Sequence, residues 1–309
     1  MLTGIHILLT YKCTFECDHC FLYSGPAAQG TFTLPQVRGL LEESRKIGSI
    51  EWIYFEGGEP FLYYPSLLEG VRLSRDMGFK TGIVTNAYGA VSDEDAELWL
   101  RPLAQLGIDC LTVSDDAFHN DGEEDSPARL ALAAARRLQI PTSPSCIQKP
   151  FVEAEPGAGQ EKGRPVIGGG AMFKGRAVEK LSAGLPLRPW RELAQCPHED
   201  LESPSRVHVD PQGNVHLCQG LSMGNMRKKP LSALVRGYDV KAHPIAGPLA
   251  EGGPALLAKR FDVDHEEQYV DECHFCFLVR RALTGRFPDL LAPRQVYGLE
   301  ELEQKRRAP

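Results

Sequence analysis

The stretch GIHILLTYKCTFECDHC, residues 4–20, joins an apolar, β-branched run to three cysteines. The run at residues 4–10 predicts a buried β-strand. Cys13, Cys17 and Cys20 follow this strand directly, separated by three and then by two residues, and no fourth cysteine lies nearby. Three thiolates in one loop indicate a soft metal centre that keeps one coordination position free of protein ligands.

The composition limits the class of protein. The 309 residues are 42% hydrophobic and 24% charged, and the net charge of −7 with a pI near 5.8 gives no broad basic surface. These values are typical of a soluble globular protein and argue against nucleic acid as a partner. There is no run of about 20 apolar residues, as a membrane span needs, and no signal-peptide pattern. We therefore expect a cytoplasmic protein with no nucleic-acid or membrane partner. Its nine cysteines then favour metal binding or catalysis over disulfides.

Strand and helix signals alternate through the first half of the chain. Apolar runs predict strands, and capped amphipathic segments between them predict helices. The strand runs are IHILLT, EWIYFEG, FKTGIVT, IDCLTVS and the weaker PTSPSCI. This repetition predicts parallel strands with crossover helices, which means an α/β barrel or a doubly wound sheet. Polar or cysteine-bearing segments follow each of the first four strands, where ligands bind in both folds.

The alternation ends after residue 147. Residues 148–170 are rich in glycine, proline and charge, and we interpret them as a loop or lid without a helix. Residues 171–177 are a candidate last barrel strand. Short strands, turns and cysteines begin near residue 190, which predicts a domain boundary there. Residues 205–218 have the pattern of a hairpin around the turn DPQGN, with His208 on its solvent face.

The cysteine loop leaves two metal centres to consider. Zinc completed by His19 is one, although His19 adjoins Cys20 and is poorly placed to join the same tetrahedron. The other is a [4Fe–4S] cluster with one open iron. A CxxxCxxC loop straight after the first strand of an α/β barrel resembles the radical S-adenosylmethionine (SAM) enzymes. The resemblance covers roughly residues 4–180.

The resemblance implies roles for further residues. The open iron would chelate SAM, and His19 would pack near the adenine. Residues 57–60, GGEP, look like the glycine-rich strand end of the family, where backbone and Glu59 would bind the SAM amino group. Polar contacts to the methionine and ribose portions would follow the third and fourth strands. The SAM-binding set implied is His19, Gly57, Gly58, Glu59, Asn86, Ser114 and Asp116.

A second set of cysteines lies in the last third of the chain. These residues resemble the ligands of the auxiliary-cluster domains called SPASM and twitch, and four cysteines match the shorter twitch form. A zinc ribbon would use four cysteines equally well. Cys110 and Cys146 stand alone and are interpreted as buried strand residues, with a catalytic thiol in the barrel as the alternative. The second set is Cys196, Cys218, Cys273 and Cys276.

The catalytic base is not identified by the sequence. A radical oxidation needs a proton acceptor near the abstracted hydrogen. His119, in the turn after the fourth strand, and Arg176, after the candidate last strand, are the candidates by region, with Asp116 and His208 behind them. Arg176 could instead pair with a carboxylate of SAM or substrate.

The resemblance implies a partial (β/α)6 TIM-like barrel over residues 1–189 and a small α+β cluster-binding domain over residues 190–309. The favoured function is a radical SAM oxidoreductase that abstracts a substrate hydrogen and passes an electron to an auxiliary [4Fe–4S] cluster. The substrate would be a small molecule, and the electron donor a flavodoxin or ferredoxin. A peptide-modifying maturase and a zinc-binding module without enzymatic activity are the alternatives.

Overall fold

The computed structural model describes residues 1–120, 125–154 and 165–299. The strands are β1 (Gly4–Thr10), β2 (Trp52–Gly57), β3 (Lys80–Thr85), β4 (Cys110–Ser114), β5 (Thr142–Ser145), β6 (Phe151–Ala154), β7 (Pro165–Gly168), β8 (Arg188–Pro189), β9 (Arg206–Val209), β10 (Asn214–Cys218), β11 (Leu221–Asn225) and β12 (Gln268–Tyr269). The α-helices are α1 (Leu34–Ile47), α2 (Tyr64–Asp76), α3 (Asp93–Leu106), α4 (Pro127–Arg137), α5 (Ala177–Lys180), α6 (Leu231–Arg236), α7 (Ala246–Phe261) and α8 (Glu272–Leu283).

One large sheet organises the chain, in the order β11-β10-β9-β1-β2-β3-β4-β5. The pairs from β9 to β5 are all parallel, whereas β10 and β11 run antiparallel to their neighbours. The predicted α/β class is therefore confirmed. Because the carboxyl ends of parallel strands meet at one edge, the loops after β1 to β5 converge there.

Local sequence signals explain the helices that cover the sheet. The start of α1 is a capping box, in which the Gln36 side chain accepts hydrogen bonds from the backbone and hydroxyl of Thr33. Val37, Leu40 and Leu41 share one buried face of this helix, at the spacing the sequence predicts. Gly48 ends it with a φ of 83°, a conformation that glycine adopts without strain.

Two predictions about the later barrel are wrong. Residues 171–177 contain no strand, because they form turns around Gly175 and then start α5. The sixth parallel strand is β9, which comes later in the chain and pairs beside β1. Residues 148–170 are also not only a loop, since β6 and β7 form an antiparallel pair at its ends. The middle of this predicted lid, residues 155–164, lies outside the described residues.

The predicted domain boundary at residue 190 stays a prediction. Two buried apolar clusters favour it, one around the barrel sheet and one among α7, α8 and the cysteine-bearing segments. Against it, Val207 and Val209 of β9 belong to the first cluster, so the hairpin extends the barrel sheet. Among the described helices, none combines the length and the apolar character needed to cross a bilayer.

Candidate active site and second cysteine site

The three cysteines of the first loop line one cavity at the carboxyl edge of the sheet. This cavity has a volume of about 270 Å³. Strand β1 delivers the loop and the ends of β2 to β5 supply the other walls, as the topology predicts. Besides the cysteines, its walls include the predicted SAM-binding residues His19, Gly57, Gly58, Asn86 and Ser114, and also His119, Ser145 and Met172.

The glycines at the end of β2 permit a close approach of two backbones. A Cβ atom on Gly57, whose φ is 144°, would lie 2.3 Å from the carbonyl oxygen of Thr10. A Cβ atom on Gly58 would lie 2.2 Å from the carbonyl oxygen of Lys12. Only glycine fits where β2 ends against the base of the cysteine loop, so this part of GGEP shapes the cavity wall.

Glu59 lies buried beside the cavity and is not among the residues that line it. Its carboxylate accepts hydrogen bonds from the Thr85 hydroxyl at 2.7 Å and from the backbone N–H groups of Asn86 at 2.8 Å and Phe61 at 3.0 Å. Burial raises the pKa of Glu59 to about 7, although these donors act in the opposite direction. Glu59 thus joins the ends of β2 and β3, and its predicted contact with the SAM amino group stays a prediction.

Asn86 connects the third strand to the cysteine loop. Its side-chain N–H group points to the sulfur of Cys13 at 3.6 Å and donates to the Thr14 hydroxyl at 3.1 Å. Its oxygen accepts from the backbone N–H of Tyr88 at 3.0 Å. Asn86 is therefore held with its amide against the thiol loop, on the wall of the cavity.

His119 links the loop after β4 to the cysteine loop. Its Nε2 lies 3.4 Å from the sulfur of Cys17, and its Nδ1 lies 2.8 Å from a carboxylate oxygen of Asp116. The other carboxylate oxygen of Asp116 accepts from the backbone N–H of Ile147 at 3.2 Å. Asp116 does not line the cavity. It orients His119, which does, so the predicted contact of Asp116 with ribose stays a prediction.

His19 packs its ring against that of Phe118, with 4.6 Å between the centroids. Its Nδ1 is buried without a hydrogen-bond partner among the described residues. Burial lowers the pKa of His19 to about 4, so its imidazole is neutral at pH 7. A neutral, half-buried ring on the cavity wall suits the predicted position beside an adenine.

Arg176 binds the cysteine loop rather than facing the cavity. Its guanidinium donates to the carbonyl oxygens of Cys17, at 2.8 Å, and of Ser24. Its backbone N–H donates to the carbonyl of Cys20 at 3.0 Å. A Cβ atom on the preceding Gly175 would lie 2.4 Å from Cα of Phe21. The role of Arg176 in this structure is to hold the loop in place, and a catalytic role stays untested.

Two thiols of this loop, those of Cys13 and Cys17, need a metal to ionise. Burial raises the pKa of Cys13 to about 11 and that of Cys17 to about 12. Both are then protonated at pH 7 unless a cation binds them, because thiolate is the form that ligates metal. The donor set of three thiols facing an open cavity fits a cluster with one iron free for a small ligand.

The second set of cysteines also meets at one place. Cys218 ends β10, Cys273 and Cys276 lie one helical turn apart at the start of α8, and Cys196 comes from the segment after β8. All four line a second, smaller cavity. Burial raises the pKa of Cys276 to about 11 and that of Cys273 further. The predicted grouping is present, and the thiols of Cys273 and Cys276 also require a metal to ionise.

Two cationic side chains lie at the second cysteine site. Lys174 Nζ is 3.5 Å from the sulfur of Cys218 and donates to the Gln219 side chain at 2.7 Å. The guanidinium of Arg280 is buried and donates to the carbonyl of Gln219 at 3.0 Å. These charges would offset the negative charge of four thiolates if a metal centre were bound there.

The spacing of the sulfur atoms disfavours zinc at both places. Thiolates bound to one zinc ion at about 2.3 Å lie about 3.8 Å apart. A zinc site needs at least three ligand atoms close together. Within the described parts of the chain, no cysteine sulfur belongs to a group of three or more ligand atoms that all lie within 4.8 Å of one another. This applies equally to zinc held by the first loop and His19. The wider spacing fits a cluster that places several metal ions among its thiolates.

Three expectations about other residues fail. Cys146 is exposed and Cys110 only half-buried, so neither is a buried strand residue. His208 does not face solvent, because β9 pairs with β1 inside the sheet and buries the ring. Sequence reasoning also missed Met172, which lines both cavities, and Lys174. The only signal for Lys174 was its place in KGRA, residues 174–177, the segment in which Lys174 reaches the second site and Arg176 holds the first loop.

Comparison with known proteins identifies the first part of the chain. Residues 7–147 match the sequence model of the radical SAM superfamily. The chain is 26% identical over 133 residues to the putative peptide biosynthesis protein YydG of Bacillus subtilis, covering 43% of this chain and 42% of that protein. It is 30% identical over 115 residues to the tungsten-containing aldehyde ferredoxin oxidoreductase cofactor-modifying protein of Pyrococcus furiosus, covering 37% and 31%. The match thus spans less than half the length of these relatives.

A solved structure has the same fold over most of the chain. The crystal structure of BtrN in complex with AdoMet and 2-DOIA superposes with a TM-score of 0.53 at 16% identity, covering 82% of this chain and 88% of that one. The similarity supports the partial-barrel architecture that the sheet order describes. Together with the thiol loop and the glycine-rich strand end, the family match shows that residues 7–147 of this chain form a radical SAM domain.

Proposed function

We propose that this protein is a radical SAM oxidoreductase that removes a hydrogen atom from its substrate and passes the remaining electron to a second iron–sulfur cluster. The observation that carries the proposal is the pair of thiol sites joined by residues 172–176. Met172 lines both cavities, Lys174 contacts Cys218, and Arg176 holds the first cysteine loop. A short, buried segment therefore connects the two sites.

The residues of the first site are suited to bind a cluster and SAM together. When bound, the cluster and SAM supply a 5′-deoxyadenosyl radical after one-electron reduction. Cys13, Cys17 and Cys20 provide the thiolates, while the backbone at Gly57 and Gly58 comes close to the loop and forms one wall. Asn86 and Ser114 offer polar groups on the same wall, and the surrounding strand ends exclude water from the reacting atoms.

The second site supports an oxidation rather than a simple rearrangement. Four cysteines around one cavity fill the ligand positions of a cubane cluster, so the substrate would have no iron to bind there. Its task is then to accept an electron. The substrate then loses a hydrogen atom to the radical, a proton to a base and an electron to the second site, which is a two-electron oxidation. An external flavodoxin or ferredoxin would supply the electron that starts each cycle.

The oxidation is tested by comparing the wild type with Cys276→Ala after anaerobic reconstitution. The probes are small molecules that carry hydroxyl or amino groups and deuterium on the adjacent carbon. We expect deuterium in 5′-deoxyadenosine from both proteins and the oxidised product from the wild type alone. Equal yields of oxidised product from the two proteins would contradict the role of the second site.

The second candidate is a peptide-modifying enzyme. It is favoured by the similarity to a relative named as a peptide biosynthesis protein. The same reaction with a synthetic peptide encoded beside this gene tests it, with mass spectrometry of the peptide as the readout. A modified peptide, together with no deuterium transfer from any small molecule, would replace the first candidate by the second.

A further inference from the structure

Three side chains of metal-ligand type meet on the inner face of the barrel sheet. His6 lies on β1, Glu56 on β2 and His208 on β9, three adjacent strands. The pairing sets His6 opposite His208. The neighbouring residues Ile5 and Ile7 are buried in the core under the helices, so by the alternation of a strand these three side chains point to the opposite face.

The distances within this cluster match ligands that share one metal ion. His6 Nδ1 lies 3.1 Å from one carboxylate oxygen of Glu56, and His208 Nε2 lies 3.2 Å from the other. The three ligand atoms all lie within 4.8 Å of one another. Ligands bound at about 2.1 Å and at right angles are about 3.0 Å apart. Two histidines and a carboxylate on one face are a donor set for Fe²⁺, Zn²⁺ and related ions.

The charge state of the cluster suits a divalent cation. Burial acts to raise the pKa of Glu56, but the two adjacent imidazoles outweigh it and hold that pKa well below its usual range. Burial lowers the pKa of His208. One carboxylate and two imidazoles are oxygen and nitrogen donors of the kind that bind divalent transition-metal ions.

Hydrogen bonds alone leave this cluster incompletely satisfied. His6 Nδ1 and His208 Nε2 each contact Glu56, and His208 Nε2 also lies 3.5 Å from the side-chain nitrogen of Gln219. His208 Nδ1 is buried without a partner among the described residues.

We propose that His6, Glu56 and His208 bind one divalent transition-metal ion of the Mn²⁺, Fe²⁺ or Zn²⁺ class. Three protein ligands leave further coordination positions for a small molecule. The side chains keep between 9% and 18% of their surface exposed, which gives access to the site. The pairing of Phe55 with Ile83 places Glu56 beside Val84, and Val84 lines the cavity of the first cysteine site. An oxygen or nitrogen of a small molecule could then reach both the ion and that cavity.

The test is a titration with Mn²⁺. The protein is first loaded anaerobically with iron and sulfide, so that the cysteines are occupied, and is kept oxidised, a state in which [4Fe–4S] clusters give no competing EPR signal. The EPR signal of free Mn²⁺ then measures binding. We expect one Mn²⁺ per chain, displaced by added Zn²⁺, because zinc binds such donors more tightly than manganese.

Matched variants assign the ion to this cluster. Glu56→Gln keeps the shape of the side chain and removes its charge, so we expect Mn²⁺ affinity to fall by roughly tenfold or more. His208→Gln tests the cluster a second time if the first variant unfolds, which circular dichroism detects. Glu51→Gln, an exposed glutamate before the same strand, should bind as the wild type does. Absence of binding by the wild type overturns the proposal. Binding that survives in both cluster variants overturns it as well. A further variant, Asp116→Asn, tests the other group of possible ligands. If binding is lost in that variant alone, the ion is bound by His19, Asp116 and His119, and the proposal is wrong.

Discussion

At the scale of single residues, Gly175 sets how closely the KGRA segment packs against the cysteine loop. Its φ is 63°, and a Cβ atom would lie 2.4 Å from Cα of Phe21 and 2.5 Å from the carbonyl oxygen of Cys20. Gly184 has a similar φ of 78° but no atom within 4 Å of its Cβ position. An alanine at either position would suffer the same backbone strain, but only an alanine at position 175 would also overlap with neighbouring atoms. Comparing the two therefore separates the two effects.

We predict that Gly175→Ala destabilises the protein more than Gly184→Ala does. The control variant should cost roughly 1–2 kcal/mol, the strain of a left-handed residue with a side chain. Gly175→Ala adds overlap with backbone atoms that cannot move aside, and it should also reduce the iron bound at the first site. Thermal unfolding and iron analysis measure both effects. Equal losses of stability in the two variants would show that the KGRA segment does not pack as described.

The buried carboxyl group of Glu59 gives a prediction about pH. Burial raises its pKa from 4.5 to about 7, so the folded protein holds this proton more tightly than the unfolded chain does. Its contribution to stability is therefore complete below about pH 4.5 and is lost as the pH rises to about 7. Glu59→Gln does not titrate, so the stability of the wild type should fall relative to this variant across that range.

Chemical denaturation of the protein without SAM, at several pH values, measures this difference. The exposed Glu51→Gln serves as the control and should follow the wild type. A wild-type stability that stays constant or rises relative to Glu59→Gln between pH 4.5 and 7 would contradict the raised pKa.

At the scale of elements, Arg176 joins the turn before α5 to the cysteine loop after β1. Its planar guanidinium donates to two carbonyl oxygens at once, which a lysine ammonium cannot do in the same geometry. We predict that Arg176→Lys loses iron from the first site and costs about 1.5–3 kcal/mol. Arg281→Lys is the control, because the described contacts of the Arg281 guanidinium are with the partly exposed Glu179 and the Phe277 ring, not with the cysteine loop. If both variants retain iron equally, the cysteine loop does not depend on the hydrogen bonds from Arg176.

The elements also show how far the sequence determines the fold. The strands β1 to β5 and the helices between them were predictable, because each carries its own periodicity, caps and turn residues. The sixth parallel strand was not, since RVHV is short and looks like one arm of an exposed hairpin. Its place beside β1 depends on pairing across about 200 residues, which local patterns do not encode. Burial of His208, and so the cluster with His6 and Glu56, follows from that pairing and was missed with it.

The same distinction holds for the site. The seven cysteines were assigned to two groups from spacing and order, and the structure brings each group together. The polar residues after β2, β3 and β4 were placed correctly at one edge. Which of them face the cavity was not predictable, because Glu59 and Asp116 turn instead toward backbone and histidine donors. The direction in which these side chains turn is set by hydrogen-bond donors in neighbouring strands and loops.

At the scale of the whole molecule, the two thiol sites should be separable. We predict that replacing Cys218 and Cys276 with alanine removes about half of the iron and sulfide of the reconstituted protein, since each cubane holds four irons. The first site does not share ligands with the second, so SAM binding should persist. Iron analysis and equilibrium dialysis with SAM measure the two effects. Loss of all iron would mean that the second site is needed for the first to form.

The most direct measurement is the reductive cleavage of SAM by anaerobically reconstituted protein, with dithionite as the electron source and 5′-deoxyadenosine as the product. The wild type and the variant lacking Cys218 and Cys276 should both form 5′-deoxyadenosine. The variant with alanine at positions 13, 17 and 20 should form none while keeping the iron of the second site. Continued formation of 5′-deoxyadenosine by that triple variant would contradict the assignment of the active cluster to the loop after β1.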